Sequence, residues 1–496
     1  MRKNIYIIGI ALLPLIIISV SSCSKKKFDI NSPNPNQPSE ATPDLILPAA
    51  LTATANQTLG GDGNFLNFWM GYWAPYGEQS PSVLSYNLTT ETYAENWDNT
   101  YVILENYKII ADNSQLPDKE YFLAIAKIMK AFHYQRLVDL YNNIPYKEAL
   151  ISSNPFPKFD DAATVYKDLV EQLDSAVLII NNANPSTAEN PASSDILFQG
   201  DMQKWIKFDH TLKLKILMRQ TEVTGGPAYI TTSLAGLTAD DFLMAGEDAG
   251  INPGYSNAST SQQSPLWRSV GYRPDGSPSG GYQYTRANSY AVDFYLNTND
   301  PRVGQFYALN ADGIYKGRAF GSSDVGQGGN NTSGFGLGLL NSAVAPALIL
   351  PAFESLFLQA EAVQRGYITG DPVALFKEAV AESFRVLSVP NYAAAAQAYY
   401  SQSSDKVNIN TSSDKIFTII TQKWAAMNGF DPLESYSDWR RLGIPPDLPV
   451  SVYPGTTATH IPYRLLYPSS EYNYNAANVG DQGSINQFTS IIFWMP

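Results

Sequence analysis

KEYFLAIAKIMKAFHYQRLVDLYN, residues 119–142, is the stretch whose reading decides the fold. Phe122, Ile125, Met129 and Phe132 recur three and four positions apart. That spacing lays them along one stripe of an α-helix. Neither Gly nor Pro interrupts the run, and Pro145 follows its end. A helix with such a stripe needs partners to cover it, so the flanking sequence is read for more helices.

Upstream, Asp44 to Thr58 reads as the first helix of the folded part, and Tyr101–Asp112 is short and amphipathic. Downstream, Asp160 or Asp161 is placed to cap a helix running to about Asn182, with Val165, Leu169, Leu173, Ala176 and Ile180 inward. Asp201–Gln220 is another. Long helices in consecutive pairs suggest a solenoid of the tetratricopeptide kind. No clean repeat signature is present, so the likeness is one of architecture. The expected fold is mainly α: a tetratricopeptide-like helix-pair scaffold, with a long loop-rich insertion and few short strands.

The insertion is expected at about 225–345, where Gly, Ser, Asn and Pro cluster and helical periodicity fades. Gly276–Gly281 and Gly321–Gly338 read as loops. Helix is expected again over Ala347–Tyr367, Pro372–Leu387, Asn391–Ser401 and Ser413–Asn428. The last seventy or so residues offer few helical stretches.

At the other end, Arg2 and Lys3 precede an apolar run from Ile5 to Ile18, then small residues, then Cys23. This is the layout of an export signal over residues 1–22. The run is shorter than the ~20 residues a spanning helix needs. Cys23 stands where a lipobox places the residue that becomes lipidated, and it is the only cysteine. The chain therefore cannot close an internal disulfide, and a lipid anchor on Cys23 to a membrane is expected. Residues 23–43, with Pro33, Pro35, Pro38 and Pro43, read as a flexible tether, and 44–496 as a single helical domain.

A formal charge of −13 argues against nucleic-acid binding, which needs clustered Lys and Arg. The only basic run, Lys25-Lys26-Lys27, reads as the solvated start of the tether. His133, His210 and His460 lie far apart and are expected to make local bonds, not to bind metal. There is no Walker loop, no Gly-x-Gly-x-x-Gly and no Gly-x-Ser-x-Gly elbow, so no cofactor is expected. Asp98, Glu361 and Glu434 are carboxylates that a glycosidase could use, yet any chain with 46 acids offers such sets.

Aromatic clusters carry the strongest functional signal. Phe68, Trp69, Tyr72, Trp73 and Tyr76 form one; Phe68 and Trp69 are expected in the core. Tyr272, Tyr282, Tyr284 and Tyr290 form another, with Trp267 and Arg268 near, inside the loop-rich insertion. Rings stack on sugar faces, while Arg273, Arg286 and Asn288 could bond hydroxyls. The expected ligand-binding set is Trp73, Tyr76, Trp267, Tyr272, Tyr282, Tyr284, Arg286 and Asn288.

Several stretches then fall in a familiar order: Cys23; Tyr121–Lys127 running into Leu137–Tyr141 and Ile144-Pro145-Tyr146; Asn299-Asp300-Pro301-Arg302; Glu354–Ala362; Gln422-Lys423-Trp424 leading to Ser437-Asp438-Trp439-Arg440-Arg441; and Ile461–Arg464 to Tyr467-Pro468 with Glu471. Together they make the chain resemble the SusD/RagB surface lipoproteins of Bacteroidetes, nearest the SusD-like second subgroup. The resemblance implies a non-catalytic nutrient-binding protein on the extracellular face of the outer membrane. It also implies a SusC-like, TonB-dependent transporter as partner, and an oligosaccharide or a peptide as ligand. Asp438, Trp439 and Arg440, like Asp300-Pro301-Arg302, are read as structural. The alternatives are a surface glycoside hydrolase and a structural or adhesive lipoprotein.

Overall fold

The computed structural model describes residues 42–60, 64–77, 79–115 and 117–496. The expected export signal, Cys23 and the expected tether as far as residue 41 lie outside the described residues. In chain order the elements that matter for the site are α1 (Pro43–Leu59), β1 (Trp73–Pro75), α2 (Glu95–Asn113), α3 (Glu120–Tyr141), β2 (Ile144–Pro145), β3 (Phe159–Asp160), α4 (Ala162–Asn182) and α5 (Met202–Met218). There follow β4 (Ala249–Ile251), β5 (Thr285–Ala287), α6 (Ser289–Asn297), β6 (Ala347–Leu350), α7 (Ala352–Gln364), α8 (Pro372–Val386), α9 (Lys415–Ala426) and α10 (Pro432–Leu442). Among the described residues the strands make three two-stranded antiparallel ribbons, β1–β5, β2–β3 and β4–β6. The fold is thus helix-rich with few short strands.

The helices form as their sequences dictate. Asp161 caps α4 by accepting from the Thr164 amide at 2.9 Å. Asp201 caps α5 from the Gln203 and Lys204 amides, both at 3.1 Å. Each cap satisfies donors that the first helical turn would leave orphaned. The stripe Val165, Leu169, Leu173, Ala176 and Ile180 is buried. Helix α3 is enclosed on nearly every side, including His133, Gln135 and Asp139. Successive helices pack as neighbours, α1 on α2, α2 on α3, α3 on α4 and α4 on α5, while α7 packs on α8 and α9.

Charged side chains tie the first half to the second. Lys215 on α5 reaches Glu354 at 2.6 Å and Asp431 at 2.8 Å. Arg219 joins Asp139 at 3.1 Å and Glu434 at 2.6 Å. Lys423 joins Glu434 and Asp438, each at 2.8 Å, and Arg441 joins Glu361 at 2.6 Å. Burial alone would raise the Glu434 carboxyl; Arg219, Lys423 and Lys215 hold it well below the usual range. Glu354, Asp431 and Glu434 converge as a metal site would, but the Lys215 ammonium lies 2.6, 2.8 and 3.4 Å from them and already supplies the positive charge.

The Asp300–Arg302 turn closes on a fully buried ion pair at 2.6 Å. Among the described residues Arg440 has no carboxylate within ion-pair distance. Its guanidinium donates to the carbonyls of Asp139 and Tyr463 at 2.6 and 2.9 Å and lies 3.8 Å from the Tyr436 ring centroid.

Two expectations are corrected and a third is made specific. Ala347–Tyr367 is not one helix: Ala347–Leu350 pairs with Ala249–Ile251 as β6, and Pro351, extended at φ −73°, ψ 148°, starts the helix proper. The expected loop at Gly276–Gly281 runs into a short helix, Gly280–Tyr284, capped by Ser279 on the Tyr282 amide. The C-terminal part holds a full helix, α10, which apolar periodicity does not announce.

Candidate ligand-binding site

The two aromatic clusters, some two hundred positions apart, meet across one ribbon. Strand β1 pairs with β5 so that Trp73 faces Ala287, Ala74 faces Arg286 and Pro75 faces Thr285. The Tyr76 amide extends the pairing by donating to the Tyr284 carbonyl at 2.7 Å. The core side and the solvent side of this ribbon have different tasks.

The inner face is support. Trp73 has no exposed surface, donates its indole N–H to Asn428 Oδ1 at 2.9 Å and meets Phe335 edge-on at 4.9 Å. Asn288 is 1% exposed. It caps α6 from the Tyr290 amide at 3.0 Å and donates to the Trp73 carbonyl at 3.3 Å. Both were expected among the ligand contacts. Neither offers a free surface, because both are consumed in holding the ribbon to the core.

The outer side opens at the end of the ribbon: Ala74 and Arg286 on the strands are buried, and the accessible rings lie just beyond them. Tyr76 is half-buried, with the Arg318 guanidinium 5.4 Å from its ring centroid. Behind it lies Gly328, where an added Cβ would fall 1.6 Å from the Tyr76 ring, so any side chain there forces the ring to move. Tyr284 is 51% exposed, the most accessible ring of the set. Its edge rests on Gly77, whose φ of +87° also favours glycine. Tyr76, Tyr284, Arg318, Gln79 and Asp324 line a hollow of about 660 Å³. A smaller hollow of about 250 Å³ is lined by Tyr282, Arg286, Asn310, Asn330 and Thr332.

Arg286 is anchored by donating from Nη1 to the Tyr282 carbonyl at 2.9 Å, and its guanidinium lies 5.9 Å from the Tyr282 ring centroid. Tyr272 stacks obliquely on Tyr282 at 4.7 Å, and burial pushes its phenol up to about 12, so it stays a neutral donor at ordinary pH. Desolvation lowers the affinity of Arg286 and Arg318 for their protons. Both nevertheless stay cationic near neutrality, as guanidinium groups do.

Other residues of the expected cluster sit elsewhere. Trp267 lines a separate apolar hollow with Leu59, Leu266 and Leu340, and its indole N–H holds the Tyr272 carbonyl at 2.8 Å. Tyr290 turns away to Asp447 at 2.6 Å and packs on Trp424. Arg268 donates to Asn56 at 2.9 Å, and Arg273 is exposed in a turn. Arg318, Asp324, Gln79, Asn310 and Asn330 were not foreseen. Arg318 and Asp324 come from a loop with no periodicity, and only folding brings them to the ribbon.

The carboxylates that a hydrolase could have used are dispersed. Glu361 and Glu434 are locked in the buried ion pairs, and exposed Asp98 accepts from Ser470 at 2.9 Å. The histidines make local contacts: His133 with Thr54 at 2.8 Å, His210 with the Asp241 carbonyl at 3.1 Å, and His460 with the Ile461 carbonyl at 2.8 Å. What the outer face assembles is flat rings beside guanidinium, amide and carboxylate groups. That mixture suits a ligand with apolar faces and many hydroxyls.

Solved structures share the architecture. A chitin-binding protein aligns with a TM-score of 0.71 at 24% identity, covering 90% of this chain and 100% of its own. A SusD homolog from Bacteroides fragilis NCTC 9343 aligns at 0.74 and 19%, covering 92% and 99%. A chitin-binding SusD homolog from Flavobacterium johnsoniae aligns at 0.74 and 21%, covering 90% and 98%. At these identities the likeness establishes the fold. No curated protein sequence matches the chain. Residues 35–468 match the SusD-like second family, described as starch-binding and associating with the outer membrane, and the chain belongs to that family.

Proposed function

We propose that this protein binds an oligosaccharide on the outer face of the β1–β5 ribbon and passes it to a SusC-like, TonB-dependent transporter. The lipid on Cys23 would hold it to the outer membrane, on the extracellular side. The observation that carries the reading is the open ring face of Tyr284 beside Tyr76 and Arg318, over a hollow of about 660 Å³. Stacking of a sugar on such a ring adds about 1 kcal/mol beyond area burial, judged from aromatic pairs. Glycans of the starch and chitin classes are the first to test, given the family's description and the two chitin-binding neighbours. A non-catalytic role is supported by the burial of Glu361 and Glu434 in ion pairs.

Calorimetric titration with malto- and chito-oligosaccharides tests the site. Tyr284→Ala and Tyr272→Ala are each expected to weaken binding about tenfold, equivalent to ~1.4 kcal/mol, without unfolding the protein. Unchanged affinity in both variants would reject the site. Turnover of the same glycans by purified protein would reject the non-catalytic reading. Recovery of a transporter with the wild type from outer membranes, but not with Cys23→Ser, is the expected result for the anchored complex.

A further inference from the structure

A further concave surface lies away from the aromatic ribbon, between helices α2, α3 and α4. It encloses about 380 Å³, and four of its lining residues are lysines: Lys108 on α2, Lys127 and Lys130 on α3, and Lys147 after β2. In a chain of net charge −13, that convergence is unusual.

Two acids also line the cleft, against the four lysines. Asp112 pairs with Lys108 at 2.5 Å, while Asp168 accepts from the neutral Tyr146 hydroxyl and keeps its charge, which acts on Lys127 and, with that of Asp112, on Lys130. Glu105, on α2, acts on Lys108 from outside the lining. Lys127 donates to the neutral Gln172 at 2.6 Å, not to a carboxylate. Lys130 is partly buried and has no ion-pair or hydrogen-bond partner among the described residues. Burial drives the Lys130 ammonium toward its neutral form, and the strongest charge acting on it is the like charge of Lys127. Cations crowded in a partly dry cleft repel one another unless an anion sits between them. Lysine is a point-charge binder suited to phosphate-like groups.

We propose that this cleft is a second ligand site, for a sulfate or phosphate ester on a group of about monosaccharide size, held by Lys108, Lys127 and Lys130 with Lys147 at the mouth. The ester oxyanion takes the place between the α3 lysines. Tyr134 and Leu169, also in the lining, give the ring an apolar wall. This site is independent of the aromatic one, so the two can fail separately.

The test is calorimetry at fixed ionic strength, with N-acetylglucosamine 6-sulfate and glucose 6-phosphate as probes and the unmodified sugars as controls. Saturable binding of at least one ester is expected. Lys130→Gln should weaken it at least tenfold, and the double variant Lys127→Gln/Lys130→Gln should abolish it. Tyr284→Ala should leave it unchanged. Thermal melts check the fold: both lysine variants are expected to melt no lower than wild type without ester, and the double variant should lose the ester-induced rise. Absence of saturable binding by wild type, or ester binding and thermal stabilisation retained by the double variant, overturns the site. So does loss of ester binding in Tyr284→Ala alone, which would move the ester to the aromatic ribbon.

Discussion

His133 shows what a single buried side chain does to stability. Its imidazole is 1% exposed, bonded to Thr54 at 2.8 Å and flanked by the Tyr107 ring at 5.8 Å. Burial, aided by the charge of Arg136, pushes its pKa down to about 3 from the ordinary 6.5. The folded state therefore refuses a proton that the unfolded state accepts. Stability from this group is fully present above pH 6.5 and declines by ~1.4 kcal/mol per pH unit as pH falls toward 3. Between pH 6.5 and 5, His210, whose pKa burial also lowers, and Glu354 and Asp209, whose carboxyls burial raises, act on stability too, so the difference between variant and wild type isolates His133. His133→Gln is expected to flatten urea-derived stability across that window by about this slope, and equal slopes in variant and wild type would refute it. Gly328 makes the complementary point at the site. Read from sequence it is one loop glycine among many; in the fold it is the wall behind Tyr76. Gly328→Ala should displace that ring and lower glycan affinity roughly tenfold, ~1.4 kcal/mol, with little change in melting temperature.

Elements were legible in proportion to how far apolar spacing governs them. Helices α3 and α4 announce themselves because their buried stripes are Phe, Ile, Leu and Val. Helix α10 does not, because its buried positions include Glu434, Ser435, Ser437, Asp438, Arg440 and Arg441. A periodicity built on hydrophobicity is blind to a helix whose inward face is ionic. The β1–β5 ribbon was hidden for another reason: each strand is three residues long, and its partner is remote. The tyrosines could thus be named from sequence, but their division into open rings and supporting Trp73 could not. Helix α10 also makes a sharp prediction. Glu434 balances Arg219 and Lys423 with no exposed surface. Removing one partner of such a set typically costs ~3–5 kcal/mol, since the other charges stay buried and uncompensated. Glu434→Gln should lose about that much in urea denaturation, whereas an isosteric change on an exposed acid such as Asp98 should cost under ~1 kcal/mol.

The same ion pairs decide how the whole molecule unfolds. Lys215 and Arg219 belong to the first set of helices, while Glu354, Asp431 and Glu434 belong to the second. Neither set can open without exposing the other's unpaired charges to a dry interior, so partial unfolding gains little. Residues 43–496 are accordingly expected to melt in one transition. Far-UV circular dichroism, weighted to the helices, and tryptophan fluorescence, from residues including Trp97, Trp205, Trp424 and Trp494, should give coincident urea curves. The site draws on three distant segments, around Tyr76, Tyr284 and Arg318, all hung on this scaffold. Ligand binding must then stabilise the entire transition, by ~2.7 kcal/mol at a hundred times the dissociation constant. Separate curves for the two probes, or a ligand that shifts only one of them, would show that the helical halves are uncoupled despite the charges that join them.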